Sequence, residues 1–271
     1  MIHKISPLNT NCKRIHFQSP NIPLITFLIL PLLLAILTTL PSSLAVSPKF
    51  TGKTVFATVT TQAQVDALGS EVNAIGYDIA ILVDGSNLVI DGKTIHDSTW
   101  YGIAVDMQQD VTVSNCEIYN IGDHTGSEFT PTGNQHGVAI YFWSSSGTAS
   151  GNTVSDYQKG GIVTNNDPAN PADNTVNILD NTVTGLGQVT FIAQNGIQMG
   201  YGMKGLVRGN AVSGNYYVDV DVPGKGKAIG QQDWVSCGIL LYLVKPGANG
   251  VEASQNKISD NQVPYYIYPA K

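Results

Sequence analysis

Charge is scarce in this sequence: only 13% of its residues are Asp, Glu, Lys or Arg, and arginine occurs at positions 14 and 208 alone. Set against the abundance of Asn, Gly, Thr, Ser and Val, that scarcity argues against helices and for many short strands joined by tight turns. The charge present is mostly acidic, with a formal balance of −6. The first 45 residues hold Lys4, Lys13, Arg14 and no acid, so the remainder carries 11 basic against 20 acidic residues, or −9. Such a surface repels phosphate backbones and excludes nucleic acid as a partner. Cysteine is nearly absent too, with three residues in all.

Long apolar runs are missing except near the start. Lys13 and Arg14 precede an apolar stretch from Leu24 to Leu37, and Ser43-Leu44-Ala45 places small residues where a signal peptidase cuts. Residues 1–45 are thus expected to be a signal peptide, with the mature chain starting at Val46. The alternative is an uncleaved anchor, since Ile22 to Leu40 is close to bilayer-spanning length. Under either reading the rest of the chain is secreted or held at the cell surface, and it meets a membrane only through an uncleaved segment. No cysteine follows the apolar run where a lipid anchor would need one.

Residues 46–87 read as a lead-in strand, a helix and a first strand. Thr61-x-x-Gln64 matches a capping box, and Val65, Leu68, Val72 and Ile75 share one helical face ending near Gly76. That helix is expected to plug the open end of an all-β repeat. Tyr77 to Val83 then reads as a strand turning at Asp84-Gly85.

From residue 88 the chain repeats. Ile95, Ile118, Val154, Val183, Val212 and Ile258 align as the last residues of successive first strands. Five positions earlier come Ile90, Val113, Ala149, Ile178, Val207 and Ala253, and two positions earlier Lys93, Cys116, Asn152, Asn181, Asn210 and Asn256. A second strand opens on Gly102, Gly137, Gly161, Gly196 and Gly238, with Tyr266 to Tyr268 as a degenerate last copy. Short strands at this period bury their apolar faces only by stacking, about 4.8 Å apart, on their equivalents above and below. The expectation is an all-β solenoid of about six coils over residues 88–271, with its recurrent Asn at a bend.

The Gly-Ile and x-Gly-Asn-x-Val alternation resembles the single-stranded right-handed parallel β-helix of the pectate lyase-like superfamily, and the Asn152, Asn181, Asn210, Asn256 series resembles its asparagine ladder. Through Gln194-Asn-Gly-Ile and Trp234 to Tyr242 the likeness is to uncharacterised secreted bacterial members. The resemblance covers residues 88–268, most of the mature chain, and implies a fold shared by lyases, hydrolases, epimerases and proteins without catalysis. Signatures of the enzymes are wanting: Arg208 lies in a regular strand, and there is no paired Asp-Asp motif and no Asp-Pro-His motif. The coil register puts Cys116 and Cys237 about 14 Å apart along the axis, so they are expected to be free thiols.

Function is expected where connections are longest, between the first and second strands of each coil, as at Tyr119 to His136, Thr184 to Asn195 and Ser213 to Cys237. Aromatic faces beside carboxylates suit sugar rings, which makes Trp100, Tyr101, Tyr157, Tyr216 and Trp234 candidate platforms for a polysaccharide or glycan. Asp123, His124, His136 and Asp156 would form a general acid/base set if they cluster, with Lys159 neutralising a uronate. Asp219 and Asp221 offer two carboxylates to a Ca²⁺ ion, which needs six to eight oxygens. The competing reading is a non-catalytic surface, adhesive or scaffold protein whose loop histidines and aromatics only pack loops.

Overall fold

Residues 47–218 and 235–269 are described by a computed structural model. Trp234, Asp219 and Asp221, together with the whole N-terminal apolar run, lie outside them. Among the described residues no helix is long and apolar enough to cross a membrane.

Alternation of inward and outward side chains builds three parallel sheets of eight, six and seven strands, and each coil of chain visits them in that order. The coil around Asn181 contributes Gly160–Asn165 to the first sheet, Val176–Leu179 to the second and Thr182–Val189 to the third. Both expected columns are present. Ile95, Ile118, Val154, Val183, Val212 and Ile258 are successive partners in the seven-stranded sheet. Ile90, Val113, Ala149, Ile178, Val207 and Ala253 are partners in the six-stranded one. Val154, Val183 and Val212 are at most 1% exposed, and each contributes roughly 1.5–3 kcal/mol by leaving water.

Where two strands per coil are expected, three occur, because the first one breaks before its Asn. The residue preceding that position is left-handed in each of the six coils that carry the column: Gly92, Asn115, Gly151, Asp180, Gly209 and Gln255 have φ between 52° and 73°. One such residue turns the chain sharply enough to start a new sheet, and Gly, Asn and Asp adopt that conformation most readily. At Gly209 the requirement is also spatial, since an added Cβ would collide with the Asp180 carboxylate of the coil before. The Asn at the next position seals the corner. Asn152 donates its main-chain N–H and its amide to Asn181 Oδ1 at 3.0 and 2.8 Å. Asn181 does the same to Asn210, and Asn210 to Asn256.

Three further expectations are corrected. The helix spans only Gln62–Ala67; its capping box is present, but Leu68 is its C-cap, Val72 is buried in the strand Glu71–Asn73, and Ile75 is 37% exposed. It also stands within the solenoid, since the sheets start at Val55–Val59, paired to Ile79–Val83, and residue 88 is no boundary. The helix takes the place of a strand beside Val89–Asp91, where the Gln62 side chain accepts from Val89 N–H at 2.8 Å and donates to its carbonyl at 3.0 Å. Finally, Ile103 partners Ile140, not Val138, so Gly137 lies two residues ahead of the glycine register.

Residues 47–54 lie on the outer face of the eight-stranded sheet. Phe50 meets Tyr101 and Tyr141 edge-on at 5.4 and 6.2 Å, in a second apolar cluster with Ile79, Leu82 and Val138. The same segment sets the Lys53 ammonium 2.9 Å from the centroid of Trp100.

Candidate functional site

Insertions accumulate at the corner joining the seven-stranded to the eight-stranded sheet. The largest described one, residues 120–137, carries a small antiparallel hairpin of His124–Thr125 with Glu128–Phe129. Two side chains fix it. Gln158, fully buried, accepts from the N–H groups of Asp123 and Thr132 at 3.0 and 2.9 Å and donates to the Asn134 carbonyl at 2.8 Å. Asp123 receives the Thr132 hydroxyl, the Asn134 amide at 2.9 Å and His136 Nε2 at 2.7 Å. Burial raises the Asp123 pKa, but these hydrogen bonds and the His136 charge outweigh it and hold the carboxyl below the usual range.

The expected acid/base set therefore divides. Asp123 pairs with His136, whereas His124 turns to Asp97, its Nε2 lying 3.6 Å from Oδ1. Asp97 also meets His96 Nδ1 at 2.7 Å and the Asn120 amide at 3.1 Å, and His96 Nε2 reaches Glu71 at 3.1 Å. Asp156 is exposed and takes a hydrogen bond from its neighbour Ser155, at 3.0 Å. Lys159 points to the next coil and donates to the Ala193 carbonyl at 2.8 Å, with burial lowering its pKa to about 8.

The expected platforms fare unevenly. Tyr157 is wholly buried and its hydroxyl donates to Asn215 Oδ1 at 2.7 Å; Tyr101, 6% exposed, stacks on Tyr141. Trp100 stacks on His136 at 4.6 Å and also holds the Lys53 ammonium, so protein groups already engage its ring. Tyr216, 40% exposed, remains open. These rings pack because the corner residues of a narrow coil point into its core or onto the strap of residues 47–54, which no count of loop aromatics reveals.

A concave surface lies at a different corner, along the outer face of the six-stranded sheet. Two cavities of about 350 and 440 Å³ adjoin there and share Thr175 and Asn177. Their floor is one outward row in register, Thr112, Thr148, Asn177, Leu206 and Glu252. Asn174 ties the rim by accepting from Gln109 and Ser146, each at 3.3 Å. The signal for this row was its parity: each member sits one residue from the aligned inward column. Among the described residues no group of three or more His, Cys, Asp or Glu is placed to hold a metal ion.

Comparison with protein families finds a match over residues 58–212 to one described as a right-handed beta helix region. No curated protein and no solved structure matches the chain.

Proposed function

The chain belongs to the right-handed β-helix family, and from that premise we propose that it is an exported protein binding a neutral polysaccharide along the six-stranded sheet. The carrying observation is the groove shared by the two cavities, floored by hydroxyl and amide groups one coil apart. A polymer laid along the axis meets a hydroxyl or amide at three successive coils, Thr112, Thr148 and Asn177, roughly every 4.8 Å, before reaching Leu206 and Glu252. Among the described residues the only cation lining the groove, Lys204, is paired with Asp173, while Asp110 and Glu252 also line it. That balance favours uncharged sugars over polyuronates. The acid/base pair Asp123 and His136 sits at a different corner from the groove, which supports binding without cutting.

Glycan-array screening followed by calorimetric titration tests this reading. Thr148→Trp fills the groove floor from an outward position, so it is expected to weaken neutral-oligosaccharide binding at least tenfold while leaving the melting temperature unchanged. Unchanged affinity in that variant, with loss in Tyr216→Ala, would move the site to the insertion corner. No binding by any glycan would favour the scaffold reading. Repeating the titration with chelator tests a Ca²⁺ requirement at Asp219 and Asp221, and a search for reducing ends and unsaturated products tests for cleavage.

A further inference from the structure

The outer face of the eight-stranded sheet already holds one guest, residues 47–54, and its contacts define what the face accepts. Outward side chains run along the axis in rows. In one row Tyr141, Val163, Gln198, Leu240 and Tyr266 are successive partners, and in the next Trp143, Asn165, Gly200, Tyr242 and Tyr268. Residues 47–54 cover the start of both. Phe50 sets its ring edge-on to Tyr141, while the Lys49 ammonium lies 5.3 and 5.2 Å from the centroids of Tyr141 and Trp143. Lys53 sits over Trp100 in the same way. Midway along, amides replace rings: Gln198 Nε2 donates to Asn165 Oδ1 at 3.1 Å, and Asn165 Nδ2 to the Tyr141 hydroxyl at 3.4 Å.

Rings return at the far end of the same rows. Tyr242 and Tyr268 stack at 5.0 Å with 21° between their planes, and Tyr201 meets Tyr242 at 5.3 Å and 71°. Leu240 and Tyr266 stand beside them in the neighbouring row. Tyr266 and Tyr268 are 40% and 42% exposed. From Tyr141 and Trp143 onward neither row contains a charged residue, and among the described residues no cation lies over the far rings.

We propose that this second set of rings is a docking site for a basic segment of another protein, one presenting a lysine beside an aromatic residue as Lys49 and Phe50 do on the first set. The lysine of that segment lies against Tyr242 and Tyr268, where ring electrons attract the ammonium and its aliphatic stem covers ring surface. The aromatic residue packs on Leu240 and Tyr266. Residues 47–54 cannot fill the site themselves, because Ser47 is tied to Asp106 and Thr54 to Asp78. The guest therefore comes from a different chain. A formal charge of −6 draws basic partners toward the molecule. The site lies on a different sheet from the groove and does not depend on glycan binding.

The test titrates the exported protein calorimetrically, at low salt, with a synthetic peptide copying residues 47–54, Ser-Pro-Lys-Phe-Thr-Gly-Lys-Thr, blocked at both ends. Saturable binding with a Kd below about 1 mM is expected. A peptide with Lys49→norleucine keeps the stem and loses the charge, and it is expected to bind at least about threefold more weakly. Tyr242→Leu combined with Tyr268→Ser is expected to weaken binding of the unmodified peptide at least about tenfold. Should that variant fail to fold, Tyr268→Ser alone, on the outermost strand, is expected to weaken it about threefold. Absence of saturable binding overturns the proposal, and so does equal affinity for the norleucine peptide. Unchanged affinity in the folded ring variants, as exchange with the resident residues 47–54 would give, overturns it as well.

Discussion

A single lysine shows how burial and chemistry interact at the insertion corner. Lys159 donates to the Ala193 carbonyl, and its pKa is lowered by burial from 10.5 to about 8. A depressed lysine binds fewer protons folded than unfolded between those two values, so stability rises with pH across that window. Lys159→Met is expected to flatten the rise between pH 8 and 10 and to add about 3 kcal/mol at most at pH 7, read by urea denaturation across pH. Single residues also show what sequence alone conveys. The inward columns through Ile178 and Val183 were legible, since only stacked strands bury such a row. The corner between them was legible in principle: residues five apart in one strand point to opposite faces, so two inward residues at that spacing require a break. What sequence could not convey was burial of Tyr157 or the engagement of Trp100, because both depend on the neighbouring coil and the strap.

At the scale of elements, the first coil substitutes a helix for a strand. Val65, Leu68, Val72 and Ile75 do fall at helical spacing, but Leu68 leaves helical geometry with φ −67° and ψ 139° and Val72 gains a ladder partner in Ile95. Sheet pairing wins over periodicity there. The helix protects the otherwise open edge of Val89–Asp91 through the paired hydrogen bonds of Gln62. Gln62→Ala removes both and is expected to cost about 1–2 kcal/mol. It should also promote association through the bared edge, measurable by light scattering. The insertion of residues 120–137 was legible as a length, whereas its clamp was not, since Gln158 comes from the next coil along the chain.

For the whole molecule, the thiols report both fold and processing. Cys116 and Cys237 are free and buried, and burial raises both pKa values, that of Cys237 to about 12. The native protein is expected not to react with a thiol reagent at pH 8, and denaturation without reductant should release two thiols if the leader is removed, or three if Cys12 is retained. The asparagine ladder has a direction as well as a strength. In every rung the earlier coil supplies the donors and the later coil the acceptor, across 29, 29 and then 46 residues. A ribosome therefore makes each donor before its acceptor exists. During synthesis the growing end is one acceptor short at its last ladder corner, and the rung from Asn210 to Asn256 waits for the longest stretch of chain to emerge.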